Sequence, residues 1–156
     1  MDKKYYISYG SNLSIKQMAE RCPYANVLGT GRLYGWRLMF RRSATIERNP
    51  IKYTPVLVWE ISEEDEEQLD KYEWFPYIYN KAHIRVTMDG DVPLRITAMT
   101  YIMNEERDLS MPSSFYYNDL KAQYCRLGFP VSILEEAIID SLGEEAGRKF
   151  LARTCR

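Results

Sequence analysis

Glu73 stands in the run Leu69-Asp70-Lys71-Tyr72-Glu73-Trp74-Phe75-Pro76, a carboxylate set among aromatic rings rather than among charges. Apolar neighbours disfavour the ionised form and raise a carboxyl pKa, which suits a general acid/base. The plainer alternative is a surface glutamate at a helix exit. A second candidate is Tyr9-Gly10-Ser11-Asn12-Leu13, directly behind the run Tyr5-Tyr6-Ile7-Ser8. Gly10 lets a ligand come close to the main chain. Ser11 and Asn12 carry short side chains that bond locally or leave their amides free. Unpaired amides at the start of a helix could hold a carboxylate or a developing oxyanion. A strand-to-helix turn that binds nothing is the alternative here.

Both candidates need elements to position them. Ser14-Ile15-Lys16-Gln17 fits a capping box and predicts a helix over about 15–22, stopped at Pro23. Residues 26–30 and 32–40 read as strands, 43–46 as a short strand and 47–53 as a loop around Asn49-Pro50. The dense apolar run Val56-Leu57-Val58-Trp59-Glu60-Ile61 reads as a buried strand. Ser62 caps a helix to about Tyr72, whose acidic residues Glu63, Glu64, Asp65, Glu66 and Glu67 suit the helix dipole and read as a solvated face. Strands over about 79–88 and 93–103 flank Asp89-Gly90, a hairpin signal. Ser113 or Ser114 opens a helix that Gly128 ends, a further helix covers 131–142, and 144–153 reads as a short turn. Strands dominate the first two thirds and helices the end, without regular alternation. A mixed or mostly antiparallel sheet curled into a small barrel fits this order better than a doubly wound parallel sheet.

At 156 residues, 46% hydrophobic and 28% charged, the chain suits one globular domain spanning 1–156. A net charge of −1 argues against nucleic acid or an acidic membrane as partner. No stretch reaches the roughly 18–20 apolar residues of a membrane span, and the N-terminus has no signal-peptide apolar region, so the cytoplasm is expected. Cys22, Cys125 and Cys155 form no C-x-x-C pair and read as free thiols. The single histidine, His83, sits in an alternating strand and offers no zinc site. Thirteen tyrosines against five phenylalanines leave spare hydroxyls, a few of which could line a polar pocket.

Tyr9-Gly10-Ser11-Asn12-Leu13 after a short strand resembles the signature of the γ-glutamylcyclotransferase-like family, which includes the AIG2-like proteins. Leu69, Asp70 and Glu73, followed by Phe75-Pro76 and Tyr79, resemble the family's catalytic-glutamate segment. Ser43-Ala44-Thr45-Ile46, with the strand ending in Val58-Trp59, resembles its central section. Met111-Pro112-Ser113-Ser114-Phe115-Tyr116, with Gly128-Phe129-Pro130 further on, resembles its tyrosine helix. The likeness covers about residues 5–135.

The resemblance implies an α+β fold: a small, mostly antiparallel β-barrel with surrounding helices. It also implies a cofactor-independent, metal-free reaction that releases 5-oxoproline from a small γ-glutamyl amine or amino acid. Glu73 would be the general acid/base. Tyr9, Gly10, Ser11, Asn12, Leu13, Tyr79 and Tyr116 would bind the substrate, with Tyr79 and Tyr116 able to bond Glu73. Tyr9 is equally readable as core. Glutathione-specific relatives resemble Tyr-Gly-Ser-Leu at the first motif, where this chain has Asn12. Trp74 and Val56 both stand where the family usually has glycine, and Trp74 is expected to pack and narrow or close the pocket. A binding protein that kept the pocket without turnover is the alternative. Nothing in the sequence fixes the leaving group or the oligomeric state.

Overall fold

The apolar run over 56–61 lies at the centre of the sheet because β3 (Ser43–Ile61) pairs on one side with β1 (Lys4–Ser8) and on the other with β2 (Asn26–Arg41). The computed structural model describes residues 3–105 and 107–154. β2 continues to β4 (Tyr79–Met88) through Gly31 opposite Met88, and β4 forms a regular antiparallel hairpin with β5 (Leu94–Met103). One parallel pairing, Tyr6 against Met99, joins β1 to β5 and closes the barrel in the order β1-β3-β2-β4-β5. The remaining pairings are antiparallel, so the expected α+β barrel is the architecture found.

Two pairs of expected strands merge. Residues 26–30 and 32–40 form the single strand β2, and the expected loop over 47–53 is part of the 19-residue β3. Pro50 is tolerated there because the register jumps from Tyr34 opposite Tyr53 to Trp36 opposite Arg48. Residues 49–52 therefore form an irregularity in which proline's missing N–H costs no ladder bond. Arg42, at φ 67, makes the tight reversal between the two strands.

α1 (Ile15–Arg21) begins at Ser14, whose hydroxyl accepts from the Gln17 amide at 3.2 Å. The reciprocal half of the expected capping box is absent, because the Gln17 side chain bonds Asp119 on α3 (Ser114–Leu127) instead. α2 (Glu63–Tyr72) carries the full box: the Asp65 amide donates to Ser62, and the Asp65 carboxylate accepts from the Ser62 amide. Asp65 is thus buried and Glu66 is bonded to Lys4 and Lys81, so only Glu63, Glu64 and Glu67 form the exposed acidic face.

α3 starts from Ser113 and stops at Gly128, where φ is 73. α4 (Val131–Leu142) packs on β2, with Ser141 accepting from the Phe40 amide at 2.9 Å. The expected short turn after it is a full helix, α5 (Glu144–Thr154), whose Phe150 meets Tyr117 edge-on. Its polar composition hid that buried edge. His83 is an exposed β4 residue, Cys22 is buried and Cys125 exposed, while Cys155 lies outside the described residues. No helix among the described residues is long and apolar enough to cross a membrane.

Candidate active site

β1 runs out at Ser8, and the chain turns through Gly10 into a short 3-10 helix, Ser11–Leu13. The Leu13 amide donates to the Gly10 carbonyl and the Ser14 amide to that of Ser11. The amides of Ser11 and Asn12 have no such partner among the described residues. Gly10 is closely approached: a Cβ there would stand 3.2 Å from the Tyr116 hydroxyl, which would have to shift by a few tenths of an ångström to admit it. That hydroxyl accepts from the Ala44 amide at 3.1 Å, which keys the start of α3 to the N-terminal turn and to β3.

Glu73 caps the C-terminus of α2, its amide bonded to the Leu69 carbonyl. Leu69 is fully buried beneath it, and Asp70 accepts from Lys81 and from the Tyr101 hydroxyl. These anchors explain why leucine and aspartate precede the glutamate at this spacing. The chain then leaves the helix sharply through Trp74, at φ 54, a backbone conformation suited to the glycine usual in the family. Trp74 adopts it with its side chain 65% exposed, so the ring neither packs nor closes the pocket as expected.

The turn and the helix exit line one pocket of about 250 Å³. Gly10, Ser11 and Tyr9 form one wall, with Tyr6, Tyr79, Tyr116 and Glu73 around it. The Glu73 carboxylate makes no hydrogen bond or ion pair among the described residues. Burial pushes its pKa up to about 7, and only the positive charge of Arg21 draws it partly back. Arg21 is itself held away by Asn12 at 2.6 Å and Gln17 at 3.0 Å, with its guanidinium 3.5 Å from the centre of the Tyr72 ring. Burial, reinforced by the Glu73 charge, raises the Tyr6, Tyr9 and Tyr79 hydroxyls well above their ordinary range. Burial likewise pushes Tyr116 up to about 12. All four therefore stay protonated in neutral solution and serve as neutral hydrogen-bonding groups.

Of the residues expected at the site, Glu73, Tyr9, Gly10, Ser11, Tyr79 and Tyr116 converge on the pocket. Tyr9 is both wall and core, since its ring is buried and its hydroxyl donates to the Tyr101 carbonyl at 2.5 Å. Tyr79 and Tyr116 do not bond Glu73. The Tyr79 hydroxyl donates to the Ala44 carbonyl at 2.9 Å, so both tyrosines are fixed on the backbone of one residue. Asn12 and Leu13 lie behind the wall. Leu13 is fully buried and its amide is already used, while Asn12 donates to the Tyr6 hydroxyl at 3.0 Å and accepts from Arg21. Asn12 thus positions two groups near Glu73 and does not line the pocket.

Sequence reasoning missed Tyr6, Ala44, Tyr72 and Arg107. Tyr6 carried a signal, being a tyrosine in the strand that leads to the turn. Arg107 carried none, because its segment reaches the pocket only through contacts with β2. No group of three or more His, Cys, Asp or Glu that could hold a metal ion occurs among the described residues.

The fold and the sequence both have relatives. A solved structure named gamma-glutamyl cyclotransferase superposes with a TM-score of 0.77 at 22% identity, over 87% of this chain and 86% of its own. An uncharacterised protein from Homo sapiens gives 0.78 at 23%, over 88% and 87%. A cyclotransferase from yeast described as specific to glutathione gives 0.60 at 11%, over 88% and 96%. At these identities the likeness is one of fold. No curated protein matches the chain. The profile described as "Gamma-glutamyl cyclotransferase, AIG2-like" matches residues 6–120, from the start of the barrel into α3 and across every pocket residue named above, and the chain belongs to that family.

Proposed function

We propose that this protein is a γ-glutamyl cyclotransferase that releases 5-oxoproline from a γ-glutamyl amine or amino acid. The observation that carries the reading is Glu73: an unpartnered carboxyl with a pKa of about 7, opening on the same pocket as the Gly10-Ser11 turn. The substrate's α-amine is an ammonium at neutral pH and must lose a proton before it can attack. Glu73 takes that proton. The freed amine then attacks the γ-carbonyl carbon of its own chain, giving a tetrahedral oxyanion. As the intermediate collapses, the bond to the departing nitrogen breaks, and Glu73 returns the proton to that nitrogen. The second proton, which the attacking nitrogen sheds to become the lactam N–H, passes by the same carboxylate to the departing amine, which leaves as an ammonium.

A carboxyl whose pKa matches the working pH suits both halves of this shuttle, and such a group contributes roughly 10²–10⁴ in rate. Ring closure is intramolecular, so holding the glutamyl chain folded lowers the barrier further. The Ser11 amide is free to meet the substrate carboxylate or the oxyanion. Tyr79 and Tyr116, locked onto Ala44, give that folded chain a rigid wall.

The test is incubation with a panel of γ-glutamyl amino acids and γ-glutamyl amines, with 5-oxoproline as the readout. Release by the native protein is expected. Binding across the panel without any product would assign the pocket to capture rather than turnover.

A further inference from the structure

The proposed chemistry uses the inner part of the pocket and leaves its mouth unexplained. At about 250 Å³ the cavity is smaller than the roughly 300–1,000 Å³ typical of sites that enclose a whole drug-sized ligand. In the cyclotransferase reading the γ-glutamyl unit lies against Gly10, Ser11 and Glu73, which leaves the group on the γ-carbonyl to face the exposed part of the lining. Two lining residues there have uncommitted side chains. The Trp74 indole is 65% exposed and has no aromatic partner among the described residues. Arg107 is exposed, and its guanidinium makes no hydrogen bond or ion pair among the described residues.

The fold nonetheless holds Arg107 in place. Its carbonyl accepts from the Arg41 guanidinium, and its segment is pinned by the Ser110 amide on the Phe40 carbonyl at 3.1 Å and the Arg42 amide on that of Ser110 at 3.3 Å. Arg107 is the one cation lining the pocket among the described residues. Arg21, the cation that acts on Glu73, is engaged by Asn12, Gln17 and Tyr72.

We propose that Trp74 and Arg107 form a subsite for the leaving group, and that this group is an aromatic amino acid. Its α-carboxylate meets the Arg107 guanidinium and its ring lies against the Trp74 indole. This rests on the cyclotransferase reading: the bond broken is the one between the γ-carbonyl carbon and the amino acid's nitrogen, which leaves with the proton from Glu73. An exposed guanidinium recognises a carboxylate by charge-assisted hydrogen bonds, and an indole face accepts a second ring in offset or edge-on contact. Trp74 then has a function at a position where glycine would sit without strain.

The experiment measures kcat/KM for 5-oxoproline release from three substrates. γ-Glutamyl-phenylalanine carries both ring and carboxylate, γ-glutamyl-alanine lacks the ring, and γ-glutamyl-phenethylamine lacks the carboxylate. The native protein is expected to prefer the first by about tenfold over the amine and about three- to tenfold over the alanine compound. Arg107→Ala should erase the preference over the amine, with Arg107→Lys keeping part of it. Trp74→Gly should erase the preference over alanine, with Trp74→Phe keeping it.

Equal rates on all three substrates would overturn the subsite while leaving the cyclotransferase reading intact. Equal losses on the phenylalanine and phenethylamine compounds in Arg107→Ala would put the cation on the glutamyl carboxylate and likewise overturn it. If nothing is turned over, calorimetric binding of the same three compounds decides. The same ranking then upholds the subsite without the reaction, and no ranking overturns it.

Discussion

Glu66 and Glu73 belong to the same helical segment, both are partly buried, and they behave in opposite ways. For Glu66, burial alone would raise the pKa, but hydrogen bonds from Lys4 and Lys81 outweigh it and hold the carboxyl below its ordinary range. For Glu73, burial acts with no bonded cation against it, and the carboxyl rises to about 7. Burial sets the cost of a charge; the partner decides whether the charge stays. Glu66 ties the starts of β1 and β4 to α2. Glu73 is kept unpaired, and Arg21 is diverted to its neighbours.

The two should leave opposite marks on stability as pH changes. Because the Glu66 pKa is lowered on folding, its contribution is present above the ordinary carboxylate range and lost as acid protonates it. Because the Glu73 pKa is raised, the folded state holds that proton more tightly than the unfolded chain. Stability from this group is full below about pH 4.5 and falls until about pH 7.

The comparison breaks most visibly at Glu73. Glu73→Gln should fold and lower 5-oxoproline release by roughly 10²–10⁴. It should also be more stable than the native protein at pH 8 by about 1–3 kcal/mol, with the difference vanishing near pH 4. Denaturant titrations at the two pH values check the second half, and full activity in the variant would remove Glu73 from the mechanism. In the native protein, kcat/KM should rise with pH through about 7, where an ordinary carboxylate would give a limb near 4.5. Next in size, Lys81→Met leaves Glu66 and Asp70 each without one partner. It should cost about 1–2 kcal/mol while product release persists. A loss of activity without a loss of stability would show that the Lys81 cluster serves the site directly. Smallest is the corner that carries Glu73 off the helix. Trp74→Gly relieves a left-handed tryptophan and should raise stability by up to about 1 kcal/mol, read as a small increase in Tm.

Much of this was legible in the sequence, for local reasons. The caps at Ser14, Ser62 and Ser113, the stop at Gly128 and the Asp89-Gly90 hairpin rest on short-range chemistry, and each stands where expected. Residues 47–53 read as a loop around Asn49-Pro50, yet a register jump between β2 and β3, with the extra residues on β3 itself, removed the need for a ladder bond at the proline. At the site, residue types pointed to Glu73 and Gly10, but they could not say that Asn12 faces inward to hold Arg21 and Tyr6. Nor could they give the anchoring of both pocket tyrosines on Ala44, which depends on β3, β4 and α3 meeting after the chain has folded.

The closure of the barrel through the N-terminal strand has its own consequence. β1 supplies Tyr6 and Ile7 to the pocket, and its partners are residues 57–61 and Met99, all distant in sequence. Contacts of that range close longer loops, at a larger entropic cost, than the local hairpin of β4 and β5. The pocket is therefore a property of the completed barrel and not of any folding fragment. A compound that fills it stabilises only the closed form, by an amount that grows with the logarithm of its concentration over its Kd. Ligand occupancy and fastening of the first strand are one equilibrium seen from two sides, so the rate of amide exchange in β1 gauges how full the site is.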